Sequence, residues 1–255
     1  MAEFLKLDNR VVIKLKIVPV SPLLIIDGRE MEKISNQGKD AKKNRNLFLR
    51  DSDKQIYIPG STLKGLFRER FYQIYGDNEK INKIFGCEEK GSVKGTRAKM
   101  FLQDAHPVDG TREDLVKVRN ITPVDHFTMG VKVPLEFEYC DQPFTSEIVI
   151  NNATVEELQG IYFTLRDSMN GEIRIGSSKT RGFGEIRLEI DELIFEKYRG
   201  KKGVVDDRFF ERDEKLSQKL GNNYLKEALF LKPEYKKVDM ENPNEFITTL
   251  FSEVK

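Results

Sequence analysis

Two stretches of this chain combine cations, hydroxyls and glycines at spacings that suit a sugar-phosphate backbone. In Ile58-Pro59-Gly60-Ser61-Thr62-Leu63-Lys64-Gly65-Leu66-Phe67-Arg68 a turn feeds a predicted helix. Amides in a helix's first turn lack internal partners, and the helix dipole adds partial positive charge, so an anion is favoured there. Lys64 and Arg68 stand four residues apart, on one face, where both reach the same phosphate-bearing strand. Gly65 lies inside the helix at a cost of about 1 kcal/mol against Ala, which predicts a close neighbour, either a ligand or a packed strand. Ser61, Thr62, Lys64 and Arg68 are the candidate contacts here. An ordinary capped helix with a solvated basic face accounts for the same spacing.

The second stretch runs from Gly171 to Gly184 and carries four glycines, which allow a tight, irregular backbone with exposed amides. Ser177, Ser178 and Thr180 add hydroxyl donors, and Lys179 and Arg181 add charge. Contacts to RNA and DNA go mainly to phosphate and sugar, which such a loop can supply. The order of residues is not that of a Walker loop. A flexible hairpin tip is the competing reading.

A third stretch, Arg119 to Gly130, mixes apolar and polar residues between strands. Phe127 and Met129 could wedge between bases, as apolar side chains do when they unstack a duplex, or fold back on the core. His106 and His126 are the only two histidines, and neither has a nucleophile at a recognisable spacing. Both read as turn or surface residues.

The elements that position these stretches follow from hydrophobic period. Ile13, Leu15 and Ile17 alternate with Lys14 and Lys16, which predicts a strand over Val11 to Val18 with one buried face. Leu63, Leu66, Phe67, Phe71 and Ile74 fall on one helical stripe that Gly76 ends. Met100 to Gln103 suit a short strand, and Val131 to Tyr139 alternate as a longer one. Thr145 to Ile150 is predicted to pair with the latter as a hairpin across Asp141-Gln142-Pro143. Thr154 and Glu157 form a capping box for a helix with Leu158, Ile161 and Leu165 inward. A strand with Ile186, Leu188 and Ile190 inward follows. The order is β-α-β-β-α-β, the ferredoxin-like (RRM-like) plan of an α+β fold, with inserted loops. Residues 206–230 and 243–253 read as ragged helices. The chain is divided into a domain over 1–195 and a C-terminal extension over 196–255.

The bulk numbers set limits on function. The 255 residues carry a net charge of +1, so any basic site must be local, and residues 39–72 are where cations concentrate. Two cysteines without a C-x-x-C partner suggest neither a zinc site nor a disulfide framework. No apolar run spans a bilayer and no signal-peptide core opens the chain, which predicts a cytoplasmic protein with no membrane partner.

Taken together, these segments resemble the RAMP superfamily of CRISPR-associated proteins, above all the backbone subunits of type III effector complexes in prokaryotes. The resemblance covers most of residues 10–191. It rests on the Ile58-Pro59-Gly60-Ser61-Thr62-Leu63-Lys64-Gly65 helix entry, Ile84-Phe85-Gly86, Phe101-Leu102-Gln103-Asp104-Ala105, Thr122-Pro123-Val124-Asp125-His126-Phe127-Thr128 and the Gly176-to-Gly184 loop. It implies a guide-RNA-binding subunit whose Lys64 helix and Lys179 loop grip the guide backbone. It also implies that the segment from Ile121 to Val131 is the family's thumb, a hairpin that kinks the guide–target duplex. Implied partners are guide (CRISPR) RNA, complementary target RNA, copies of the same chain, other RAMP subunits and the large polymerase-like subunit.

Many such subunits place an aspartate upstream of the helix entry for metal-dependent cleavage of target RNA. The matching position here falls near Arg45, and the acids within reach are Asp40 and Asp27. RNA binding needs no cofactor on this reading, whereas cleavage would need Mg²⁺. The alternative of another class is a stand-alone CRISPR repeat-processing endoribonuclease of the same superfamily, which would carry a general acid-base histidine.

Overall fold

The structure is a computed structural model, and it describes residues 7, 9–26, 45–87, 95–108, 115–122, 124, 127, 129–130, 135–198, 225–232, 235–240 and 244. In chain order the elements are β1 (Asn9–Pro19), β2 (Arg45–Asn46), α1 (Gly60–Tyr75), α2 (Asn78–Phe85), β3 (Met100–Leu102), β4 (His106–Pro107), β5 (Lys117–Ile121) and β6 (Leu135–Tyr139). There follow β7 (Phe144–Asn151), α3 (Val155–Met169), β8 (Ile186–Tyr198), β9 (Leu225–Lys232) and β10 (Tyr235–Met240). A single 3-10 turn, Lys179–Arg181, lies between α3 and β8.

The large sheet runs β3-β7-β1-β8-β10-β9, with β4 pairing the near end of β7. Its neighbours are antiparallel throughout. A smaller sheet runs β2-β6-β5. Alternation in β1 does what the sequence predicts. Val11, Ile13, Leu15 and Ile17 are buried, and Lys14 turns outward to pair with Glu192 at 2.7 Å.

Helices α1 and α3 pack on the buried face through Leu63, Phe67 and Phe71 on one and Leu158, Ile161 and Leu165 on the other. They approach closely because residue 160 is glycine: a Cβ there would strike the Phe71 ring. Gly76 ends α1 in the left-handed region at φ 62°, and its N–H donates to Tyr72 O at 2.8 Å. The predicted capping box opens α3, with Glu157 Oε2 accepting from Thr154 N at 2.8 Å. The same buried carboxylate pairs with Lys99 Nζ at 2.7 Å.

Three expectations change. First, β6 and β7 are not a hairpin. β6 pairs with β2 and β5, whereas β7 pairs with β1, β3 and β4. Residues 141–143 are a corner between sheets, fixed by two backbone hydrogen bonds between Leu23 and Cys140 at 3.0 and 2.9 Å. Phe144, Ile148 and Ile150 meet Ile17, Ile13 and Val11 in register, and that buried row outweighs the local turn. Second, Gly65 has no close neighbour: a Cβ there meets nothing within 4 Å. The packed-strand explanation therefore fails. The glycine that a strand does require is Gly60, where a Cβ would strike Leu102 O. Third, residues 225–230 belong to strand β9 and not to a helix. The outer edge of β8 offers unpaired backbone, and β10 takes it at Ile194 to Tyr198 with β9 beyond. Of the predicted helix over 243–253 only Asn244 is described. Its side-chain amide donates to Ile190 O and accepts from Ile190 N, each at 2.8 Å.

Candidate nucleic-acid interface

The head of α1 is built by a neighbouring strand. Ile58 and Ala105 exchange two backbone hydrogen bonds, at 2.9 and 2.8 Å, which brings Asp104 to the helix start. Asp104 Oδ1 accepts from Gly60 N at 2.7 Å. Thr62 N and Leu63 N both donate to Pro59 O. The expected open amides are thus taken at three of the first four positions, and the chain's own carboxylate holds the positive end of the dipole. Nothing in the local spacing signals Asp104, because it is distant in sequence. Further along, Arg68 Nη2 donates to Asn82 Oδ1 of α2 at 2.8 Å. Ser61 is exposed, Thr62 and Lys64 are half-buried, and Lys64 has no partner among the described residues.

The glycine-rich loop is anchored, not a flexible tip. Ser177 N donates to Leu24 O at 2.8 Å, Gly184 N to Pro22 O at 2.9 Å and Ile175 N to Gly184 O at 2.8 Å. Gly176 and Gly184 both have positive φ, and a Cβ at either would strike a carbonyl oxygen, Leu24 O or Ile175 O. Phe183 is fully buried, which contributes about 2 kcal/mol to holding the loop down. Arg174 reaches back from below, donating to Lys179 O at 3.2 Å and to Glu185 Oε2 at 2.9 Å. What projects is the 3-10 turn, where Lys179, Thr180 and Arg181 are exposed and their side chains have no partner among the described residues. Ser177 and Ser178 are half-buried at its root.

A ladder of short pairings links the two segments: Ser177 to Leu24, Ile25 to Leu49, and Leu49 to Tyr57, which adjoins Ile58. Three steps at the interstrand spacing put their backbones at most roughly 15 Å apart.

The third segment forms a ribbon. β5 and β6 pair from Lys117↔Tyr139 to Ile121↔Leu135. At the tip Phe127 is 95% exposed and Met129 77%, so neither folds back on the core. The ribbon's base closes over the loop. Phe183 lies 5.6 Å from Phe137 and 6.5 Å from Tyr139, centroid to centroid. Glu138 Oε2 accepts from Phe48 N at 2.9 Å and Arg50 Nη1 at 2.8 Å. Lys117 pairs with Asp141 at the corner. That hydrogen bond pushes the lysine up and holds the carboxyl below its ordinary range.

The other candidates are less informative. His106 is exposed and stacks on Tyr57 with centroids 6.2 Å apart. His126, Asp27 and Asp40 lie outside the described residues. Among the described residues no group of three or more acids, histidines or cysteines could hold a metal ion. None of the described helices is long and apolar enough to cross a membrane.

The family model of the RAMP superfamily matches residues 16–187, and the chain belongs to that superfamily. That span holds all three segments. No curated protein matches. Among solved structures, a chain of the Type III-B Cmr-beta complex bound to cognate target RNA superposes with a TM-score of 0.51. The two are 17% identical over 73% of this chain and 60% of that one, so this chain matches less than two thirds of its length. A chain of the apo Type III-B Cmr-beta complex gives a TM-score of 0.48 at 12% identity, over 71% of this chain and 97% of that one. At 17% identity the first likeness is one of fold alone.

Proposed function

We propose that this chain is a guide-RNA-binding backbone subunit of a type III CRISPR effector complex, which positions complementary target RNA in antiviral defence in the prokaryotic cytoplasm. The observation that carries the reading is the ribbon: it exposes Phe127 and Met129 at its tip while its base is packed on the loop that presents Lys179 and Arg181. One segment can then hold a guide backbone while the other enters a base step. The order β3-β7-β1-β8, antiparallel at each step, with α1 and α3 on one face, supports a ferredoxin-like core for the domain over 1–195. Within the extension over 196–255, β9 and β10 widen the same sheet. Copies of this chain, other RAMP subunits and the large polymerase-like subunit are the protein partners this reading requires.

The test is co-purification with the neighbouring subunits, followed by sequencing of the bound RNA. Guide-length CRISPR RNA should be recovered, and repeat RNA incubated with the pure chain should stay intact. A single cut within the repeat, with no retained guide, would replace this reading with the repeat-processing endoribonuclease. Truncating both Phe127 and Met129 to Ala should weaken guide–target duplex binding by about tenfold, the scale set by opening a base step, while guide binding holds. Equal losses on both ligands would assign these residues to the fold instead.

Cleavage is a separate matter. Cations crowd the segment from Lys42 to Arg45 that follows Asp40, which favours holding RNA over cutting it. The assembled complex is expected to bind target and to cut it slowly or not at all in Mg²⁺. Periodic Mg²⁺-dependent cuts that vanish in Asp40→Ala would make Asp40 catalytic, and the same result in Asp27→Ala would move that role to Asp27.

A further inference from the structure

Two arginines lie over phenylalanine rings. Arg166 Cζ is 4.8 Å from the Phe163 centroid, and Arg119 Cζ is 5.6 Å from that of Phe183. Their edges differ. Asp167 Oδ1 accepts from both Nε and Nη2 of Arg166, at 3.1 and 2.9 Å. Arg119 is exposed and has no hydrogen-bond or ion-pair partner among the described residues. Three other arginines are taken up by acids: Arg50 by Glu138, Arg70 by Asp167 and Glu172, Arg174 by Glu185.

A guanidinium held over a ring loses less freedom when it binds, and its five N–H groups form a planar fork that matches a phosphate. The position matters as much as the chemistry. Arg119 faces Phe137 across the ribbon, and Phe137 packs on the same Phe183 ring. Phe183 comes two residues after Arg181. The fork therefore sits on the seam between the loop and the ribbon base.

We infer that Arg119 binds a phosphate of the single-stranded RNA that Lys179 and Arg181 hold, and so carries that strand from the loop to the ribbon. This rests on the RNA-binding reading above. A carboxylate of a protein partner would meet the same fork, but the neighbouring loop presents two further cations at a turn, as a run of phosphates requires.

The experiment is fluorescence anisotropy of the full chain with labelled single-stranded RNAs of unrelated sequence, over a salt series. Arg119→Ala and Arg119→Met should each weaken binding by about tenfold at low salt. Each should also make the log–log salt slope shallower by about 0.7, the value for one phosphate contact on a single strand. The Met variant keeps an apolar stem over Phe183, which guards against a loss of folding. Arg119→Lys should keep the slope and lose affinity, since charge stays and the fork goes. Arg166→Ala should change neither. If Lys179→Ala weakens binding while both neutral Arg119 variants leave affinity and slope intact, the inference is overturned and the RNA-binding reading stands. If none of these variants alters RNA binding, or the wild type binds none, both fall. RNA binding unchanged in Arg119→Ala with loss of poly-glutamate binding would overturn the inference in favour of a protein partner.

Discussion

The head of α1 and the glycine-rich loop read alike as sequence, each a turn with glycine, hydroxyls and two cations, yet the structure equips them differently. At α1 the dipole already meets Asp104, the first amides are taken, and Arg68 is held by Asn82. At the loop the backbone is pinned on both sides and the side chains of Lys179 and Arg181 are left to solvent. A rigid mount with open charges loses little on binding, whereas α1 shares Arg68 with Asn82 and its dipole with Asp104. On the proposed RNA-binding reading the loop should be the stronger grip and α1 the weaker.

That ranking can be broken. The double variant Lys179→Ala/Arg181→Ala should weaken single-stranded RNA binding about a hundredfold at low salt. Its salt slope should fall by about 1.4. Lys64→Ala should cost only severalfold in the same titration; a loss equal to that of the loop variant would reverse the ranking.

Asp104→Asn keeps an acceptor for Gly60 N and removes the charge from the helix start. RNA affinity should rise by about two- to fourfold, the scale of one charge at a helix end. No change at any salt concentration would mean that RNA does not reach α1's first turn.

Gly65→Ala separates stability from binding. The site is exposed and open, so alanine should stabilise α1 by about 1 kcal/mol and raise the melting temperature by about 2–4 °C. Affinity should fall, because the backbone is where a ligand would approach. A stabilised variant that binds RNA as well as wild type would show that Gly65 faces only water.

The smallest effect concerns pH. Asp141 is held below its ordinary value of 3.8, so its contribution is present above that value and lost as pH falls through the lowered pKa. Lys117 is raised above 10.5, so its contribution is present below that value and lost as pH rises through the raised pKa. The tie at the ribbon base should therefore be constant between about pH 5 and 9. A melting temperature that differs between wild type and Lys117→Ala by an amount varying within that window would point to another titrating group.

The parts of the fold that could be read from sequence are those whose signal is local. β1 alternates, α1 and α3 carry helical stripes, and Gly76 and the Thr154–Glu157 box mark helix ends within four residues. The parts that could not be read depend on partners far along the chain. Asp104 reaches Gly60 across 44 residues. Asp141-Gln142-Pro143 reads as a hairpin turn, but β7 is claimed by β1, more than a hundred residues earlier, and only the register of buried side chains decides it. The loop's glycines and serines suggest mobility, and one phenylalanine, Phe183, reverses that by entering an aromatic cluster supplied by β6. In the candidate site, the residue types were legible and their occupancy was not. Arg68 and Arg181 look equivalent until Asn82 is placed beside one of them.

Asn244 makes a different kind of contact, a carboxamide matched to the peptide groups of Ile190 at both donor and acceptor. It sits where the pairing of β1 with β8 skips Asp191. A primary amide has the hydrogen-bonding pattern of a main-chain unit, so one side chain closes a gap that β10 does not reach. A chain cut before residue 244 would leave that rung open along the border of a wide sheet. Open rungs are templates, and two truncated copies brought edge to edge could complete each other's sheet. The seal on that rung comes from an asparagine some fifty residues further along the chain.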